Sequence, residues 1–137
     1  MSDPSDLPVP RISWVRLLIG ALLVEIGAII VLVVFVAIFG PNEYHAAQVY
    51  AERIGLWVGP IAGAILTFIG ALVVTRRLRQ GRVLHGTLFG LCVVLVDVTI
   101  LLAMKAPFEW IFVISDAGKL IAGYLGGVLS ARCESPR

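Results

Sequence analysis

The sequence predicts an all-α membrane protein, a bundle of four transmembrane helices. The 137 residues are 59% hydrophobic and only 15% charged, a composition that excludes an ordinary soluble domain. The hydrophobic residues gather in four runs, each long enough at 1.5 Å per residue to cross a hydrocarbon core of about 30 Å. Membrane β-strands would instead alternate over segments of about ten residues. The predicted spans are 17–39, 56–75, 83–104 and 110–131.

The positive charges predict the orientation of the spans. Arginines precede span one, fill the link between spans two and three, and follow span four, whereas the opposite links carry only Arg53 and Lys105 as positive residues. The positive-inside rule therefore places both termini in the cytoplasm of a cell (inner) membrane protein. We expect a cytoplasmic N-terminal tail at 1–13, a membrane domain at 14–131 and a cytoplasmic C-terminal tail at 132–137. The lipid bilayer is the predicted partner, and the arginine-rich link, without interleaved aromatic residues, does not predict nucleic-acid binding.

Span one contains a single charged residue, Glu25. It lies roughly 12–14 Å into the span, too deep for a short side chain to reach the interface. Two interpretations are open. Glu25 is either a protonated side chain hydrogen-bonded to a neighbouring helix or a carboxylate that binds a proton or another cation.

The segment from Gly20 to Gly27, Gly-Ala-Leu-Leu-Val-Glu-Ile-Gly, resembles the first helix of the small multidrug resistance exporters. Those are four-span proteins, and the resemblance implies a membrane glutamate that binds cationic drugs and protons. The likeness covers eight residues. The third span here lacks tryptophan, which the third helix of those exporters contains, so the segment alone assigns no family.

Span two is predicted to be a scaffold, because it has no ionisable residue. Gly55, Gly59 and Gly63 recur at intervals of four, and such a face predicts close packing of helix backbones. Pro60 removes one backbone hydrogen bond and predicts a kink. A short amphipathic helix, with Asn42 as its N-cap, is expected to run into this span.

Spans three and four each carry charges and small residues on one face. Span three places Gly86, Gly90 and Asp97 together, with His85 expected to be hydrated near the membrane surface. In span four the shared face holds Asp116, Lys119, Gly123 and Gly127. Both faces are predicted to pack inward, away from lipid.

The depths of these charges predict a buried ionisable cluster. Asp97 and Lys119 both lie roughly 12–13 Å from the same end of their spans, so they can meet if spans three and four are neighbours. Asp116 lies one turn nearer that end. Glu25 is placed somewhat nearer the cytoplasm, and whether it joins the cluster is open. With three acids for one base, at least one acid is expected to hold a proton at pH 7.

A faint internal repeat suggests that the bundle consists of two helix hairpins. Arg16–Gly20 resembles Arg82–Gly86, and Ile61-Ala-Gly63 recurs as Ile121-Ala-Gly123. The two hairpins would share one orientation and be related by an axis along the membrane normal. Parallel repeats of this kind occur in transporters.

The motifs predict no enzyme, no cofactor and no metal site. Cys92 and Cys133 are far apart in the chain, and no nucleophile stands at a sensible spacing from a base. The first hypothesis is a non-catalytic membrane subunit or assembly protein, a homo-oligomer or partner of another membrane protein, with a structural Asp97–Lys119 pair. The alternative is a small proton- or cation-coupled transporter, oligomeric, that uses Glu25 and Asp97. A cavity that reaches these carboxylates favours transport, whereas a dry, fully paired cluster favours structure.

Overall fold

The computed structural model describes residues 13–78, 80–105 and 107–133. These residues form four α-helices and no strands, which confirms the predicted all-α fold. All four helices are long and apolar enough to span a membrane. The predicted tails lie almost entirely outside the described residues. The helices are α1 (Trp14–Phe39), α2 (Tyr44–Thr75), α3 (Arg82–Ala103) and α4 (Trp110–Arg132).

The amphipathic helix does run into span two as predicted, and α2 is one continuous helix of 32 residues. The predicted amphipathic segment and span two are therefore a single element. Its N-cap position is the extended Glu43 rather than Asn42, and no side chain caps it. Pro60 lies inside α2, so the Leu56 carbonyl receives no hydrogen bond from the position four residues later.

Consecutive helices run antiparallel, so the bundle has two ends of different composition. We call the end that contains the starts of α1 and α3 the arginine-rich end, and the opposite one the far end. α1 and α4 each pack against α2 and α3, and α2 also contacts α3. No Cα atom of α1 lies within 8 Å of one in α4. At the arginine-rich end, Gly81 has a φ of 70°, a left-handed conformation that favours glycine in the tight link before α3.

The interface between α3 and α4 is built on glycines whose backbones nearly touch. A Cβ atom on Gly86 would lie 2.6 Å from the Gly123 carbonyl oxygen, and one on Gly90 would lie 3.3 Å from the Cα of Gly123. Gly127 approaches the backbone at the start of α3 in the same way. Gly126, on an adjacent face of α4, packs closely against α2. These small residues explain why α4 fits so tightly against both of its neighbours.

The expected close packing of backbones does not hold for Gly55, Gly59 and Gly63 of α2. A Cβ atom on Gly59 would meet nothing within 4 Å, and one on Gly55 would meet only the Leu32 side chain. The atom nearest Gly63 is also in a side chain, the Cε of Lys119. The physical reason is that this face of α2 lies beside the Lys119 side chain and a cavity rather than beside the backbone of another helix.

A hydrophobic core fills the half of the bundle nearest the arginine-rich end. At its centre is Phe89, which is completely buried. Gly20 and Gly70 make room for its ring, because a Cβ atom on either glycine would lie 2.7 Å from a ring carbon. The rest of this core is Leu17, Ala21, Val24, Ala71, Cys92 and Val93.

The predicted repeat of two hairpins stays a prediction. Ile61 and Ile121 are both exposed, and Ala62 and Ala122 are both buried, as equivalent hairpins require. However, α2 contacts α3 while α1 and α4 stay apart, and a twofold relation would make these two contacts equivalent. The bundle is therefore asymmetric in its helix packing.

Candidate functional site

Lys119, near the middle of α4, joins carboxylates from two other helices. Its Nζ lies 3.0 Å from Oε1 of Glu25 in α1 and 2.5 Å from Oδ2 of Asp97 in α3. Both are charge-assisted hydrogen bonds as well as ion pairs. The lysine is 3% exposed. The three residues therefore form a buried Glu–Lys–Asp salt-bridge cluster that ties α1, α3 and α4 together.

The lysine side chain has to cross the bundle, because no Cα atom of α1 lies within 8 Å of one in α4. Gly63 of α2 provides the space, since a Cβ atom there would lie 2.8 Å from Cε of Lys119. Four residues on, the buried Thr67 hydroxyl donates to the Gly63 carbonyl oxygen at 2.6 Å. This bond satisfies the hydroxyl locally, so Thr67 places no competing donor in the cluster.

Asp116 adds a third acid next to this salt-bridge cluster. Its carboxyl group interacts electrostatically with that of Asp97. Its Oδ1 atom is buried without a hydrogen-bond partner among the described residues. We call Glu25, Asp97, Asp116 and Lys119 together the charge cluster. With three acids for one ammonium, it has excess negative charge unless protons or another cation bind.

A cavity of about 150 Å³ adjoins the charge cluster and extends from it toward the far end. Side chains from all four helices line it, including Glu25, Asp97 and Lys119. Leu101 and Ile111, within about one turn of the far ends of α3 and α4, also line it. The Asp97 side chain is 18% exposed. The far-end cavity therefore gives the buried carboxylates a route toward one end of the bundle.

On its other side, the charge cluster is closed by packed apolar side chains. Val24 and Val93, both in the hydrophobic core, lie one residue before Glu25 and one turn before Asp97. Phe89 and the remaining core residues follow toward the arginine-rich end. The core therefore lies between the charge cluster and the arginine-rich end, where a groove of about 470 Å³ reaches Val24 and Phe89.

The structure brings together the residues that the sequence placed at the same depth in their spans. Asp97 and Lys119 are in direct contact, and Asp116 lies beside them. Glu25, for which the sequence left the question open, also joins the cluster. The sequence placed Glu25 at a different depth from Lys119, and the flexible four-carbon side chain of the lysine spans that difference. Ser115, which is buried and lines the cavity, was not among the predicted site residues. It lies four residues before Lys119, so helical periodicity indicates that the two side chains share a face.

Two residues at the start of α3 are less accessible than the sequence suggested. Arg82, expected in the exposed link, is 7% exposed and donates from Nη1 to the Ser130 carbonyl oxygen at 2.6 Å. His85, expected to be hydrated, is 3% exposed, and its Nδ1 donates to the Gly81 carbonyl oxygen at 2.9 Å. The glycine packing of α3 on α4 brings the last turn of α4 over the Arg82 side chain.

The chemistry available at the charge cluster is binding and exchange of positive charge. Within the described residues, no group of three or more histidines, cysteines, aspartates or glutamates has the geometry to hold a metal ion.

Comparison with known proteins finds no matching family model, no matching curated protein and no matching solved structure. The functional assignment therefore depends on the charge cluster and its cavity.

Proposed function

We propose that this chain is an integral membrane transport protein that passes a proton or a small monovalent cation through the charge cluster. The observation that carries the proposal is the cavity that reaches Glu25, Asp97 and Lys119 from the far end. The Phe89 core closes the opposite side. Access from one side at a time is the arrangement that a transport site needs, and ionisable residues deep in a membrane commonly mark ion pathways.

In this proposal Lys119 is a tethered cation that competes with the transported one. Its ammonium group satisfies one oxygen of Glu25 and one of Asp97. A proton or cation that enters the cavity takes over one carboxylate, and the ammonium group remains on the other. Asp116, next to Asp97, supplies a further acceptor for a proton. Leu56 also lines the cavity, and in this proposal its carbonyl, left without its helical bond by Pro60, adds an oxygen ligand for a cation.

The arginines support a direction for this pathway. By the positive-inside rule, the arginine-rich end is cytoplasmic in a cell (inner) membrane. The cavity then opens to the outside, and the Phe89 core separates the charge cluster from the cytoplasm. Passage requires this core to open while the far end closes, which makes the Phe89 ring the inner gate of the proposal.

Flux measurements in proteoliposomes test the proposal. Wild-type protein is expected to pass H⁺, Na⁺ or K⁺ under an imposed membrane potential faster than protein-free vesicles, as read by ion-sensitive dyes. Glu25→Gln and Asp97→Asn should each lower this flux at least tenfold, because each removes a charge that binds the cation. The matched control is Glu52→Gln, which makes the same chemical change at an exposed position outside the cluster.

Circular dichroism and thermal unfolding show whether each variant is folded before its flux is compared. Wild-type vesicles that pass none of the three cations would contradict the proposal. Wild-type flux in folded Glu25→Gln and Asp97→Asn protein would contradict the roles of these carboxylates.

A second candidate function is a non-catalytic membrane subunit or assembly protein. One observation favours it. Only 17% of the apolar membrane-spanning stretch of α1 is buried, which leaves most of that stretch for lipid, a second copy or a partner subunit. In this case the Glu25–Lys119–Asp97 bridges serve only to hold three helices in register. A chain that passes no cation and purifies in a fixed ratio with another membrane protein would identify this function instead.

A further inference from the structure

A groove of about 590 Å³ lies between α2 and α4 at the arginine-rich end. Its volume is within the range of about 300–1,000 Å³ that is typical of ligand sites. The groove is separate from the charge cluster and its cavity, with which it shares no lining residue. Its walls are apolar side chains of both helices, namely Ile69, Leu72, Val73 and Leu129.

The polar part of the groove is concentrated at the end of the bundle. Arg76, the residue that ends α2, is exposed there, and Arg82 at the start of α3 is held in place by its bond to the Ser130 carbonyl oxygen. Ser130 also lines the groove and is 6% exposed. Its Oγ atom has no hydrogen-bond partner among the described residues. Two positive side chains and an unpartnered hydroxyl group thus meet at one place.

The groove is polar at the membrane surface and apolar below it. Arg76 and Ser130 lie within one turn of the ends of α2 and α4. Ile69 lies about 10 Å deeper along α2, at 1.5 Å per residue. No carboxylate is among the described residues that line the groove. This arrangement matches a molecule with an anionic head and a hydrocarbon tail.

We propose that the groove binds an anionic phospholipid of the leaflet at the arginine-rich end. Its phosphate group lies beside the guanidinium group of the exposed Arg76, and the Ser130 hydroxyl donates to a headgroup oxygen. One acyl chain lies along the apolar walls that include Val73 and Leu129. Basic pockets between transmembrane helices are suited to such headgroups because the arginines attract the phosphate at the depth where the lipid places it. This site does not depend on the proposed transport function.

Native mass spectrometry of the full chain, purified in mild detergent, tests the site. Titration with phosphatidylglycerol is expected to give a bound lipid at a concentration at least tenfold lower than phosphatidylcholine requires. Inorganic phosphate and glycerol phosphate, added in excess, should not displace the lipid, because they lack the acyl chain. Displacement by either one would show a free-phosphate site and overturn the lipid proposal, as would equal binding of the two lipids.

Two variants separate a specific site from a generally basic surface. Arg76→Gln should weaken phosphatidylglycerol binding about fivefold, the equivalent of about 1 kcal/mol for one arginine near a membrane surface. Leu129→Trp leaves the charge unchanged but fills the groove at a partly lipid-exposed position, and it should also lower binding.

The matched control is Arg77→Gln. Arg77 is the next residue along the chain and is also exposed, but it lines the neighbouring groove between α1 and α2, which shares Ile69 and Val73 with this one and does not include Ser130. Its substitution should leave binding within twofold of wild type. An equal loss in Arg76→Gln and Arg77→Gln, or unchanged binding in Leu129→Trp, would overturn the proposed site.

Discussion

At the scale of single residues, Lys119 decides the properties of the site because it pairs with two acids in the interior of the bundle. Removing one partner of a buried ion pair typically costs about 3–5 kcal/mol, whereas apolar replacement of the whole pair is often neutral or stabilising. Stability alone therefore gives little reason for Glu25, Asp97 and Lys119 to be charged. Binding of a mobile cation gives a chemical reason, and the adjoining cavity gives such a cation access.

Gly63→Ala is the residue-scale prediction. The new Cβ atom would lie 2.8 Å from Cε of Lys119, so the lysine must move and its bonds to Glu25 and Asp97 weaken. We expect the free energy of unfolding to fall by about 1–3 kcal/mol, the usual cost of added bulk in a packed interior. Chemical or thermal unfolding in detergent measures the change.

Gly59→Ala is the matched control for Gly63→Ala, one turn earlier on the same helix. Its Cβ atom meets nothing within 4 Å, and alanine favours a helix over glycine by up to about 1 kcal/mol. Stability equal to or above that of wild type is therefore expected. The assigned route of the lysine side chain would be wrong if Gly63→Ala were as stable as this control.

At the scale of helices, the contact between α3 and α4 determines where the acids stand. Glycines on both helices let the two backbones approach, and this approach places Asp97 of α3 beside Asp116 and Lys119 of α4. The same contact buries Arg82 under the last turn of α4. One close helix pair therefore sets the geometry of the charge cluster in the middle of the membrane and of the lipid groove at its surface.

Gly123→Ala is the prediction at this scale. Its Cβ atom would lie 2.7 Å from the Gly86 carbonyl oxygen, a backbone atom that cannot rotate away as a side chain can. We expect a loss of at least about 1–3 kcal/mol in the free energy of unfolding, because the helices must separate. Unfolding by denaturant in detergent micelles measures this loss.

Gly118→Ala is the control for that experiment. It makes the same substitution on the same helix, but its Cβ atom meets nothing within 4 Å. It should have no destabilising effect. If both alanine variants lost the same stability, helix propensity or detergent contact would be the cause rather than the α3–α4 interface.

At the scale of the whole molecule, the two ends of the bundle differ in charge and in access. The arginine-rich end carries Arg16, Arg76 and Arg77 around a packed core. The cavity beside the charge cluster extends toward the far end. The proposed direction of transport depends on which end faces the cytoplasm, and the two native cysteines report it.

Labelling with a membrane-impermeant maleimide tests the proposed orientation. Cys133 is exposed at the arginine-rich end, whereas Cys92 is buried inside the bundle. We expect Cys133 to react in inside-out vesicles but not in intact cells, and Cys92 to react only after denaturation. Cys133→Ser should abolish labelling of the folded protein. Labelling of Cys133 in intact cells would reverse the proposed orientation.

The sequence by itself determined the elements of this fold. Four long apolar runs predict four helices because a membrane-spanning segment must satisfy its own backbone hydrogen bonds. The depth count also predicted that Asp97 and Lys119 could meet, because both positions follow from a fixed rise per residue. The continuous α2 was less predictable, since a proline in the interior of a helix gives no certain sign of a boundary.

Only the tertiary structure decided which residues share the interior. Helical periodicity gives the face of a residue but not what lies opposite that face. It therefore predicted a glycine seam on α2, where Gly63 accommodates Lys119 and Gly59 borders a cavity. Whether Glu25 reaches Lys119 depends on the lateral positions of α1 and α4 and on a flexible side chain that spans the gap between them. Those distances are set by the packing of all four helices, and no local pattern in the chain encodes them.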